Sequence, residues 1–212
     1  MLSAFPTLNK SRIKRFFLVI LTLTAFAFAP LEEVQATTGR GSARIVLPKL
    51  NLLDIMEINA GRMGQRKGCL DPVKNYAQKL EVEHTAHRAQ VLDLAQERKL
   101  PVSPARVTQA EYQNIRELLA EQKRLQSYRT CQFDLAFARA MVRAHAFAIM
   151  VVKASMTSEN DAELRAFLQT TLAELVEHYE EAKALVKDLQ DQQDSDDQNG
   201  GDQDDGDQDQ NS

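Results

Sequence analysis

Residues 71–94, DPVKNYAQKLEVEHTAHRAQVLDL, decide the kind of fold this chain can adopt. Val73, Ala77, Leu80, His84, His87, Val91 and Leu94 recur in steps of four and three, the seam of a helix packed in a bundle. Asp71 followed by Pro72 predicts an N-cap with proline at the first helical position. Inside the stretch, Glu81, His84 and His87 are three apart and face one way on a helix. Two of the chain's four histidines therefore sit on or beside an apolar seam, a spacing suited either to a metal or to a polar patch.

The helical period continues outward in both directions. Leu135, Ala138, Val142, His145, Ile149 and Val152 mark another long stripe. Leu164, Leu168, Leu172, Leu175, His178, Leu185 and Leu189 mark a further one, behind an Asn160-x-x-Glu163 cap. Upstream, LNLLDIMEINAGRMGQ (50–65) puts Leu53, Glu57, Ala60 and Gly64 on one face. There is no run of alternating β-branched residues, so the fold class is all-α. Four principal helices are expected: A (about 50–67), B (72–98), C (131–157) and D (160–190).

Residues 99–130 join B to C. KLPVSPAR (99–106) stops helix B with two prolines, and Thr108-x-x-Glu111 is a capping box that opens a connecting helix over about 108–127. Antiparallel neighbours need only a short loop, whereas a helix of about 20 residues covers ~30 Å and returns the chain to its starting end. B and C are then parallel, which predicts a ferritin-like four-helix bundle, up-down-down-up, with a helical B–C crossover. A weak internal repeat, VKNYAQKLEVEH against LRAFLQTTLAELVEH, pairs A-B with C-D.

Neither end reads as part of the bundle. Residues 1–36 combine a basic segment (Lys10, Arg12, Lys14, Arg15), an apolar run over 16–29, and Val34-Gln35-Ala36. These are the parts of a secretory signal cut after Ala36, which implies a periplasmic or secreted protein. No second stretch reads as a membrane span, so none is expected in the mature chain. Residues 37–49 are taken as a linker and 50–190 as the bundle domain. Residues 191–212 hold nine Asp, no cation and no apolar residue, and should be a disordered acidic tail. The formal charge of the chain is −4; the signal accounts for +2 and the tail for −9, which leaves the body at +3. A mildly basic body with an acidic tail and few aromatics does not suggest nucleic-acid binding.

The polar residues on the seams fall at similar depth. Glu57 lies 13 residues before Leu70 at the A-B turn, and His84 lies 14 after it. His145 lies 14 before Glu159 at the C-D turn, and His178 lies 19 after it. Each comes from a different principal helix, and Glu81, His87, Glu174 and Glu177 lie within a turn of them. Carboxylates and imidazoles on facing helices are how ferritin-like proteins hold metal. The candidate ligands are therefore Glu57, His84, His145 and His178, with Glu81, His87 and Glu174 beside them. Such mixed nitrogen and oxygen ligands suit iron, zinc, copper or manganese. A His/Glu network that fixes helix register is the structural alternative.

Other chemistry is sparse. GRMGQRKG (61–68) lacks the Lys-Ser/Thr ending of a phosphate loop and reads as close helix packing at Gly61 and Gly64. No nucleophile–His–acid set suggests a hydrolase. Cys69 in the A-B turn and Cys131 at the start of C share an end of an up-down-down-up bundle, so a disulfide between them is expected.

EINAGRMGQRKGCLDPVKNYAQKLEVEH, FDLAFARAMVRAH and LRAFLQTTLAELVEH resemble three blocks of an exported bacterial family, domain of unknown function 4142, whose members are often labelled predicted outer membrane proteins. The resemblance runs from about 51 to 189. It implies a ferritin-like four-helix domain of the bacterial envelope with no activity to carry over. The family's motif positions fall on Glu57, His84, Asp134, His145 and His178. This chain departs from the pattern at Glu83, where Asp is usual, at Ala144, where an acid is usual, and at Ala173, where proline is usual. The functional expectation is a metal-binding bundle in metal handling or envelope stress. A structural or interaction module is the alternative, and a redox enzyme a third reading.

Overall fold

The computed structural model describes residues 31–200 apart from Thr130 and Ser158, with side chains described over 41–195. Among these residues there are five α-helices and no strand: α1 Leu31–Lys67, α2 Asp71–Glu97, α3 Gln109–Leu125, α4 Gln132–Met156 and α5 Ala162–Gly200. Residues 1–30 of the expected signal and 201–212 of the expected tail lie outside the described residues.

Helices α1 and α2 form one hairpin and α4 and α5 another; α1 also packs on α4, and α2 on α5. The α1–α2 contact is close because α1 presents glycine. A Cβ on Gly61 would stand 2.6 Å from the Ala77 carbonyl oxygen, and one on Gly64 would stand 2.5 Å from Ala77 Cβ. Gly61 and Gly64 are therefore packing residues, as the sequence suggested. The whole expected seam of α2, from Val73 to Leu94, is buried.

The start of α4 is tied to the α1–α2 turn. Cys69 and Cys131 form a disulfide with a Cα–Cα distance of 4.9 Å. Asp134, in the first turn of α4, accepts from the backbone N–H groups of Cys69 and Leu70, both at 2.8 Å. At the opposite end of α2, Arg98 pairs with Asp161 and Glu163 at the start of α5. Helix α3 lies over α1 and α4. Glu111 pairs with Lys49 at 2.6 Å, and Gln122 donates to the Met56 carbonyl at 3.0 Å. The Thr108/Glu111 capping box that opens α3 is present in both directions.

Several boundaries differ from the sequence reading. Helix A does not begin at about 50, and residues 37–49 are not a linker. α1 is helical from Leu31, with Pro48 inside it. Ala43, Val46, Leu47 and Leu50 are buried, and that apolar face offsets the hydrogen bond lost at proline. Asp71 does not cap α2. Leu70 holds the cap position without a side-chain bond, and Asp134 takes up its N–H from across the fold. The cap of α5 is Asp161 rather than Asn160, accepting from Leu164 N–H at 3.0 Å. The buried face of α4 is rotated from the expected stripe. Of that stripe Ala138, His145 and Val152 are buried as expected and Leu135, Val142 and Ile149 lie at the border, while Phe133, Phe137, Met141, Ala144, Ala148 and Val151 are also buried. The expected tail begins as helix, since α5 continues to Gly200. Finally, α4 is long and apolar enough to cross a membrane, with mean hydropathy 1.6, contrary to the reading that no second stretch was. More than half of that stretch is buried inside the protein, the pattern of a core helix.

The apolar interior divides in two. One part, at the disulfide end, centres on Phe133, Phe137, Tyr76 and Leu80. The other centres on Leu47, Leu50, Val91, Val152 and Leu168. On all four long helices the junction between the two parts is marked by a polar residue: Glu57, His84, His145 and His178.

Candidate functional site

At this junction His84, His145 and His178 come together from α2, α4 and α5. One ring nitrogen from each lies within 4.8 Å of the others. Ring centroids are 5.2 Å apart for His84 and His178, 5.3 Å for His145 and His178, and 5.9 Å for His84 and His145. All three are at most 5% exposed, and Glu57 beside them is 4% exposed. A cavity of about 20 Å³, room for one water-sized species, borders Glu57, His84 and His178.

Each histidine is held by its other nitrogen. His84 Nδ1 meets Asp54 Oδ1 at 3.0 Å. His145 Nδ1 meets the Met141 carbonyl oxygen, one turn back on α4, at 2.9 Å. His178 Nε2 meets Glu83 Oε2 at 2.6 Å. Carbonyl and carboxylate oxygens accept, so each of these nitrogens carries the proton, and the tautomer follows from the partner. The opposite nitrogens, His84 Nε2, His145 Nε2 and His178 Nδ1, are buried with no hydrogen-bond partner among the described residues, as is Glu57 Oε2. Four buried polar atoms at one depth thus lack a partner among the described residues.

The surroundings set the charge of the rings. Burial pushes His145 below the ordinary imidazole range, and it pushes His178 down to about 4 against the pull of Glu83. Burial opposes charging His84 as well. There the Asp54 hydrogen bond and the charges of Glu57, Asp54 and Glu174 prevail, and its pKa is raised. Two neutral imidazoles beside carboxylates form a donor set for a cation.

The other expected residues are placed differently. His87 is buried, but both its nitrogens are engaged: Nδ1 with Asp54 at 2.9 and 3.0 Å, and Nε2 with Thr171 Oγ1 at 2.9 Å. Its ring stacks on Phe167 with centroids 5.3 Å apart. Glu81 turns away to Arg62 at 2.7 Å and Gln65 at 2.6 Å. Glu174 lines the cavity from an exposed position on α5. Asp134, a motif position, serves the α1–α2 turn rather than the histidines. The sequence reading missed Asp54, which bridges His84 and His87. Its signal was present: Asp54 and Glu57 are three apart in the otherwise apolar LLDIMEI and share a helix face. The acid absent at Ala144 is replaced by the Met141 carbonyl, which orients His145 from its own helix.

Fold and site together define an all-helical protein with a buried tri-histidine centre flanked by carboxylates. Its sequence matches the model of a family described as Domain of unknown function (DUF4142) over residues 29–185, and the chain belongs to that family. Comparison with curated proteins finds no match, and comparison with solved structures finds none either.

Proposed function

We propose that this protein is an exported, ferritin-like up-down-down-up bundle that binds a first-row transition metal through His84, His145, His178 and Glu57. The observation that carries the reading is the set of four buried polar atoms without partners. A buried polar atom without a partner costs about 1–3 kcal/mol, and a cation bound at the cluster relieves the three histidine nitrogens at once. The single hydrogen bond on each ring, at the nitrogen facing away from the cluster, has the character of the outer contacts that orient metal-ligating histidines. Imidazole nitrogens stand at about 2.1 Å from zinc, so two on one ion are at most about 4.2 Å apart. The 4.8 Å limit of the cluster exceeds that by little, and small ring rotations close it. A majority of imidazole ligands favours zinc, copper or iron over manganese.

The bundle topology is supported by the ends that meet: α4 starts at the α1–α2 turn, and α5 starts at the end of α2. Export is supported by the basic segment, apolar run and Val34-Gln35-Ala36 pattern of the N-terminus. The role that fits is metal holding in the envelope rather than turnover. Metal analysis of untagged protein purified from the periplasm is the test. Stoichiometric metal in the wild type, lost in the His84→Ala/His145→Ala double variant, is the expected result. Absence of metal from a normally folded wild type makes the cluster a core polar network sharing a proton.

A further inference from the structure

The cavity beside the histidines changes character along its length. Its inner wall carries the buried Glu57 and His84, whose free atoms are unpartnered. Its outer wall carries Glu83, with a side chain 43% exposed, and the exposed Glu174. Four carboxylates line it, Asp54, Glu57, Glu83 and Glu174, and no lysine or arginine does among the described residues. In a body of net positive charge that sign is local, not background. Asp54 and Glu83 are committed to histidines. Glu174 makes no hydrogen bond or ion pair among the described residues, and its charge is directed into the cavity, where it also acts on His84.

We propose that this cavity, opening between α2 and α5, is the route by which a divalent cation reaches the histidines, with Glu174 the carboxylate that draws it in. The proposal rests on the metal-binding reading above. A recess with low-dielectric walls and charge of one sign concentrates field lines and raises the local concentration of counter-ions. Leu50, Leu53 and Leu175 supply such walls here. An ion attracted to Glu174 then meets Glu57 and His84 without crossing a cationic side chain.

Stopped-flow loading of the untagged full chain with Co²⁺, followed by its visible absorption, tests this. Glu174→Gln is expected to slow loading roughly three- to tenfold at low salt, with the difference shrinking as ionic strength rises. The amount of cobalt bound at the end point should match wild type. Asp188→Asn removes an equal charge on α5, 14 residues on or ~21 Å away, and should leave the rate unchanged. Loading of Glu174→Gln at the wild-type rate overturns the route, as does equal slowing by Asp188→Asn. Failure of the metal reading looks different: wild type then takes up no stoichiometric cobalt at any rate, and both proposals fall.

Discussion

Asp54 illustrates how one side chain organises the centre. Its carboxylate receives Nδ1 of both His84 and His87, so it sets the tautomer of the first and anchors the second. Asp54→Asn keeps the size but replaces an ionic acceptor with a weaker one. The expected outcome is a 10- to 100-fold loss of metal affinity with the helical circular dichroism unchanged, roughly the effect of removing an outer-shell partner. Competition against a chromophoric chelator measures it; unchanged affinity would show that Asp54 does not orient His84. Gly61 is the steric counterpart. A methyl group there meets the backbone of α2 at Ala77 and Glu81, which cannot yield as a flexible side chain would. Gly61→Ala should cost about 1–3 kcal/mol in urea denaturation, the ordinary cost of overpacking.

Among the elements, α5 shows how a helix start is coupled to a neighbour. Asp161 accepts from Leu164 N–H and also pairs with Arg98 at 2.5 Å. The Arg98 hydrogen bond holds the Asp161 carboxyl below the ordinary aspartate range, against a smaller opposing effect of burial. Because the folded pKa is depressed, the stabilisation is fully present above the unfolded value of about 3.9 and is lost as pH falls through the lower folded value. Asn caps a helix as well as Asp, so Asp161→Asn loses only the ion pair with Arg98 and should be less stable than wild type at neutral pH by about 0.5–1 kcal/mol. That gap should close as pH falls through the depressed folded pKa of Asp161; a gap that persists once both forms are uncharged would rule out ionisation as the cause. The helices themselves were legible to different degrees. The seam of α2 stood out because charged residues fill its other face. In α4 Arg139, Arg143 and Lys153 mark the outward face, with Ala146 and Met150 between them, so the polar strip was too thin to define the inward side sharply. In α1 the sequence reading began the helix at about 50, just past Pro48, and only the structure shows the helix running through the proline with Ala43, Val46 and Leu47 buried.

For the molecule as a whole, the tie between Cys69 and Cys131 closes a loop of 62 residues. In the chain-entropy account such a closure stabilises by about 4 kcal/mol. The Cys69→Ser/Cys131→Ser variant should lose about that much in urea denaturation, while Asp134 still caps the turn. A loss under about 1 kcal/mol would mean that residual structure already restricts this loop in the unfolded chain. The sequence alone determined that the chain is helical, which faces of α2 and α5 turn inward, that the link between α2 and α4 carries its own helix, and that Glu57, His84, His145 and His178 lie at one depth. Those features depend on periodicity and chain length, which are local quantities. Only the tertiary structure decided which neighbours of these residues belong to the centre. Asp54 and Glu83 reach histidines 30 and 95 residues away, while Glu81 turns to Arg62 and His87 is closed off by Thr171. Those choices depend on how helices rotate against one another, and that rotation is set by glycine contacts and by the fit of the two apolar halves of the interior. Neither has a signature in the spacing of residues along one helix.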